Sequence, residues 1–142
     1  MSDYETFDLQ LFLPYLLNQA SEAVSHDFVQ IYKDRYGMLR TEWRVLFHLG
    51  SYGEMTAKDI GSRARVHKTK ISRAVSALEH RRFLKRSRLE SDRRSEVLTL
   101  TDLGLKAYED LKKEARRFDQ SLSDKMSIEE RAVLEKVLRR LS

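Results

Sequence analysis

Cysteine is absent from the 142 residues, which removes disulfides, thiolate metal sites and thiol-based redox sensing together. Proline occurs once and glycine five times, a scarcity that favours long uninterrupted helices over a turn-rich β fold. Long apolar runs are missing too. The longest, Leu11–Leu17, has seven residues and contains Pro14, well short of the ~20 that a membrane span needs. Asp3, Glu5 and Asp8 stand where a secretory signal would carry positive charge. These absences point to a cytoplasmic chain with no membrane partner. Catalytic signatures are equally scarce: there is no glycine-rich phosphate loop, and no Ser/His/Asp set at a recognisable spacing. His26, His48, His67 and His80 stand singly, none with a histidine four residues on, so neither a metal nor a cofactor is expected.

What is present is one domain's worth of chain with enough apolar residues, 41%, to fill a core. Charged residues make up 35%, with 27 Lys+Arg against 22 Asp+Glu and a net charge of +5. The distribution says more than the sum. Between Arg63 and Arg94 lie twelve basic residues and three acids, a local +9, which leaves the rest of the chain at −4. A basic centre between mildly acidic flanks is the electrostatic footprint of polyanion binding, although a solvated basic face would read the same way.

Periodicity divides the chain into helices around a short β segment. Leu13, Leu17, Ala20, Val24, Phe28 and Ile31 recur at steps of three and four, with Pro14 in the first turn. Thr41 is the expected cap of a second helix running to about Gly50, and Ser51–Glu54 is expected as a connection. Thr56-Ala-Lys-Asp59 predicts the start of a short third helix ending near Arg65. After a break at Val66 and His67, a fourth is predicted from Lys68 to about Arg82, burying Ile71, Val75 and Leu78. His67 either caps that helix or reaches a phosphate. Two strand-like runs follow, Leu84–Leu89 and Glu96–Leu100, around a charged turn. Thr101 then caps a long helix striped by Leu103, Ala107, Leu111, Ala115, Phe118 and Leu122. Ser127-Ile-Glu-Glu130 is a capping box for a last one carrying Val133, Leu134, Val137, Leu138 and Leu141.

A short helix, a tight turn, a longer helix and a hairpin make a winged helix-turn-helix. The second helix of such a pair fits a major groove about 12 Å wide and reads base edges from its first turns. Those turns here show Lys68, Thr69, Lys70, Ser72, Arg73 and Ser76 on the polar face. Lys85, Arg86 and Arg88, on the first strand, suit phosphate contact.

These residues carry a resemblance. Thr56-Ala-Lys-Asp-Ile60, Val66-His-Lys-Thr-Lys-Ile-Ser-Arg-Ala-Val75 and Ser91-Asp-Arg-Arg-Ser-Glu-Val-Leu-Thr-Leu-Thr-Asp-Leu-Gly104 resemble the MarR family of bacterial transcription regulators. The most specific piece is Asp92-x-Arg94 followed by Leu100-Thr101-x-x-Gly104. The resemblance implies a mainly α winged helix-turn-helix with a β-hairpin wing over 36–101, and a helical dimerisation region from 1–35 and 102–142. It implies a homodimer on pseudo-palindromic double-stranded DNA, usually a repressor, answering to a small phenolic or anionic effector. Arg94 would be the wing arginine in the minor groove and Asp92 its carboxylate partner, with Lys68, Thr69, Ser72 and Arg73 facing the major groove.

One departure concerns Arg82, which stands where many members close the recognition helix with glycine. It must either adopt a strained cap or extend the helix. Phe12, Tyr15, Trp43, Phe47 and His48 are candidate effector-pocket residues, while the helical spacing of Trp43 and Phe47 also suits plain core. Two other functions use the same features: a sequence-indifferent nucleoid-type DNA-binding protein, and a winged-helix protein-interaction module.

Overall fold

The computed structural model describes residues 6–89 and 91–142, and of Leu89, Asp92, Arg93 and Arg94 only the backbone. A 3-10 turn at Leu9–Leu11, capped by Asp8, leads into α1, Leu13–Tyr36. Pro14 occupies the first turn of α1, where its missing N–H costs nothing. Gly37 ends the helix with φ +63°, a conformation open to glycine at little cost.

Helix α2 spans Arg40–Tyr52, so Thr41 lies inside it and Leu39 stands at the N-cap. Leucine offers no acceptor. The Glu42 carboxylate instead accepts from the Leu39 backbone N–H, which explains why this acid tolerates burial. The helix also runs past Gly50, and Gly53 at φ +84° is its true terminator. Gly50 serves packing: a Cβ there would lie 2.4 Å from the Tyr108 ring.

A two-residue strand β1, Met55–Thr56, precedes α3, Ala57–Ala64, and α4, Lys68–His80. Strands β2, Leu84–Leu89, and β3, Asp92–Leu100, form the hairpin. The sheet is antiparallel in the order β1-β3-β2, with Leu84 opposite Leu100, Arg86 opposite Leu98, and an irregularity between Arg88 and Leu89. β1 had no sequence signal. It is short and pairs through the backbone, Met55 opposite Leu98.

Arg82 resolves to the strained alternative, with φ +63°. The α4 helix closes with Phe83 N–H donating to the Leu78 carbonyl at 2.9 Å and Arg82 N–H to the Glu79 carbonyl at 2.9 Å. This is a Schellman closure built on arginine instead of glycine. The strand therefore begins on schedule at Leu84.

Helix α5, Asp102–Ser123, is started by Thr101, whose hydroxyl oxygen accepts from Gly104 N–H at 3.0 Å and donates to the Arg82 carbonyl at 2.6 Å. A Cβ on Gly104 would fall 1.9 Å from the Phe83 carbonyl oxygen. The Thr101-x-x-Gly104 spacing thus joins a cap to a close helix–backbone approach. Helix α6, Ile128–Leu141, has the expected capping box, with Glu130 N–H to Ser127 Oγ at 3.0 Å and the reciprocal bond at 2.9 Å.

The core lies between α2, α4, the sheet, the end of α1 and the first half of α5, with Met38, Val45, Leu46, Ile60, Ile71, Leu78, Leu98 and Leu111 buried. Leu103, expected in the α5 stripe, is half-exposed at one edge, while Tyr108 takes a buried place instead. Among the described residues no helix is long and apolar enough to cross a membrane.

Candidate nucleic-acid interface

The helical pair is held by local chemistry at each end. Thr56 Oγ1 accepts from Asp59 N–H at 3.1 Å to start α3. The turn reverses at Arg65, φ +54°, and Val66 N–H closes it on the Gly61 carbonyl at 3.1 Å. His67 then caps α4, its Nδ1 accepting from Thr69 N–H at 3.2 Å. Ile71, Ala74, Val75 and Leu78 bury one face of α4, which forces Lys68, Thr69, Lys70, Ser72, Arg73 and Ser76 into solvent on the other.

A cleft of about 990 Å³ runs between this helix pair and the hairpin, lined by Lys58, Ser62, Lys68, Thr69, Ser72, Arg73 and Arg86 among others. Four of these seven are cationic. Lys58 and Ser62 were not singled out from the sequence. Their signal was the exposed face of α3, in the first and second turns after the Thr56 cap.

The hairpin residues separate. Lys85 and Arg88 have exposed side chains and, by strand alternation, point from opposite faces. Arg86, expected at a phosphate, is engaged within the protein: Nε donates to Glu79 at 3.2 Å, Nη1 to Glu96 at 3.2 Å and Nη2 to Ser76 at 3.3 Å. The side chains of Asp92 and Arg94 lie outside the described residues.

The aromatic residues do not converge as one pocket. Phe12 pairs with Phe7 near the chain start, with ring centroids 5.4 Å apart, and Tyr15 lies on the first turn of α1. Phe47 packs between Trp43 and Tyr108, at 4.9 and 5.1 Å. His48 Nδ1 is bonded to the Arg44 carbonyl at 2.6 Å. Trp43 lines a cavity of about 170 Å³, with Phe28, Tyr32, Arg40, Arg44 and Phe118. Its indole Nε1 is the one buried side-chain donor or acceptor without a partner among the described residues. Tyr32 stacks on Trp43 at 5.8 Å. Burial pushes the Tyr32 phenol pKa up, against the hydrogen bond from Arg40 and the charges of Arg40 and Arg44. Arg40 and Arg44 lie one turn apart on α2 and meet Tyr32 of α1 only once the helices pack, so no spacing in the chain marks them.

Among the described residues no group of three or more His, Cys, Asp or Glu could hold a metal.

The short helix, longer exposed helix and hairpin over a cationic cleft define a winged helix-turn-helix protein. Residues 36–95 match the MarR family. The HTH-type transcriptional regulator YwoH of Bacillus subtilis (strain 168) is 30% identical over 87 residues, 61% of this chain and 63% of YwoH. The PcaV transcriptional regulator from Streptomyces coelicolor, solved in complex with its natural ligand, superposes with a TM-score of 0.80 at 25% identity, covering 99% of this chain and 96% of PcaV. Streptococcus pneumoniae FabT, solved in complex with DNA, superposes with a TM-score of 0.75 at 24% identity, covering 94% of each. The matched stretch spans 63–64% of the length of the curated relatives. The family match falls on the winged centre of the chain, while the likeness to the solved structures extends the shared fold over almost its whole length.

Proposed function

We propose that this protein is a dimeric, sequence-specific DNA-binding transcription regulator that represses at a pseudo-palindromic operator and answers to a small anionic aromatic ligand. The observation that carries the DNA reading is the cationic cleft between α4 and the hairpin, with the first two turns of α4 exposed beside it. The N-terminal turns of α4 enter the major groove, with Lys68, Thr69, Ser72 and Arg73 facing bases and Lys70 and Ser76 along the rim. Lys58, Lys85 and Arg88 contact phosphates. Arg94 at the hairpin end enters the minor groove, where a narrow groove concentrates negative potential.

The apolar residues Leu13, Leu16 and Leu17 of α1 and Val133, Leu134, Val137 and Leu138 of α6 are exposed in one chain, which suits a second copy. Two recognition helices must then sit about 34 Å apart to meet successive grooves. A ligand needs only ~1–3 kcal/mol of preference for a different spacing to switch binding. The Trp43 cavity lies among α1, α2 and α5, where such a ligand would act as a wedge between the helical ends and the winged centre. A cavity of ~150 Å³ can hold one benzene ring, and Arg40, Arg44 and the orphan indole N–H supply donors for a carboxylate.

Selection of bound duplexes from a random pool is the test. A recovered palindrome with half-sites one helical turn apart is expected, and a pool that stays random would overturn the reading. On the recovered site, about eight phosphate contacts per dimer give a slope of log K against log[salt] near roughly −7. Arg94→Ala should weaken binding by ~1–3 kcal/mol without loss of fold.

A further inference from the structure

We propose that Arg86 is a positioning residue that clasps the hairpin to the recognition helix, fixing the angle at which helix and wing meet DNA. The proposal rests on the DNA-binding reading above, and it assigns Arg86 a role inside the protein instead of at a phosphate.

The geometry is that of a three-way bridge. Arg86 projects from β2, and its guanidinium reaches Ser76 and Glu79 on α4 and Glu96 on β3 at 3.2–3.3 Å. One planar fork therefore ties three elements, using a donor on each of its three nitrogens. Ser72, Ser76 and Glu79 succeed one another at helical steps, so the bridge continues the groove-facing row of α4 toward its C-terminus.

Charge argues against a phosphate role. Arg86 brings one positive charge and its two carboxylate partners bring two negative ones, so the cluster is net −1 within an otherwise cationic cleft. A phosphate approaching Arg86 would meet Glu79 and Glu96 as well. The register adds a structural reason. Arg86 lies opposite Leu98, two places along β2 from the buried Leu84, and so faces the same side as the core while standing just outside it.

Arg86→Lys separates the two roles. Lysine still binds phosphate as a point charge, but one ammonium on a flexible stem does not reproduce a fork across three acceptors. The experiment compares wild type, R86K, E79Q and the double variant, reading affinity for the selected duplex and, without DNA, amide hydrogen exchange along β2 and β3. R86K and E79Q are each expected to weaken binding by about threefold to tenfold, and the double variant by no more than the weaker single one, as residues of one network do. Exchange along the hairpin should accelerate in all three variants. Wild-type affinity in R86K, tighter binding in E79Q, or unchanged hairpin exchange would each overturn the clasp. Failure of the wild type to bind any duplex would instead strike the DNA reading, while the exchange measurement still decides the clasp.

Discussion

Leu46 and Leu138 are the same side chain on helices of 13 and 14 residues, yet Leu46 is wholly buried and Leu138 is 42% exposed. The contrast holds across the regions they belong to. In the winged centre, each apolar stripe meets another within the same chain: α2 against α4, α4 against the sheet, and the sheet against α5. In the helical ends, α6 buries none of its residues, and α1 buries only Phe28 and Tyr32, both in its second half. Both regions have a helical apolar period, so periodicity marks a face that must be covered without saying by what. The centre closes its account within one chain. The ends leave theirs open in a single chain, which is why we propose that a second copy covers them.

The largest expected effect tests that division directly. Leu46→Ala should cost ~2–5 kcal/mol of stability at every protein concentration, because the cavity is intramolecular. Leu138→Ala should instead lower stability in a concentration-dependent way, and a dilute monomeric chain should scarcely register it. Urea unfolding at nanomolar and at tens of micromolar protein reads both. An equal, concentration-independent loss in Leu138→Ala would show that α6 is covered from within its own chain.

The same contrast governs what could be read from the residues. Local chemistry was legible: Thr56, Thr101 and Ser127 each name a helix start, and each accepts the expected backbone bond. The exposed and buried faces of α4 follow from its period. Where the local signal was borrowed from elsewhere, the reading slipped. The start of α2 is set by Glu42 reaching back to Leu39, so the more conventional Thr41 drew the boundary inward. Gly50 looked like a terminator, whereas its missing Cβ makes room for a tyrosine 58 positions later. Phe12, Tyr15 and Trp43 share a chemistry but not a place, because periodicity gives faces and not neighbours. Arg86 could only be read as one cation among several. Its role depends on where α4 and two strands are brought together, and no spacing in the chain encodes that.

A smaller effect sharpens the boundary between the winged centre's helix and its wing. Arg82 holds a left-handed φ of +63° at the end of α4, which costs a side-chain-bearing residue ~1–2 kcal/mol. Glycine removes that strain but brings back unfolded-chain entropy of ~0.5–1 kcal/mol. Arg82→Gly should therefore gain up to about 1 kcal/mol, seen as a higher thermal midpoint. A lower midpoint would mean that the Arg82 side chain contributes more than its backbone loses.

The smallest effect lies at the junction between the helical ends. Tyr36 on α1 donates to Asp110 on α5 at 2.7 Å, and Arg35 donates to the same carboxylate at 3.1 Å. The Tyr36 hydrogen bond, followed by Arg35, holds the Asp110 pKa below its ordinary 3.8. Burial, then the hydrogen bond to Asp110, pushes Tyr36 from 10.0 up to about 12. The two shifts have opposite signs in pH. A depressed carboxyl pKa stabilises the fold above pH 3.8, and that contribution disappears as the pH falls through the folded-state value. A raised phenol pKa stabilises below pH 10.0, and that contribution is lost as the pH climbs toward 12. Asp110→Asn should therefore flatten the acid limb of stability against pH, and Tyr36→Phe the alkaline limb, each by a fraction of a kcal/mol because the cluster is partly solvated. Thermal midpoints of wild type and both variants across the two limbs provide the measurement. Parallel curves would show that α1 and α5 are held by their apolar contacts alone, with Phe28 against Phe118 at 5.9 Å the first place to look.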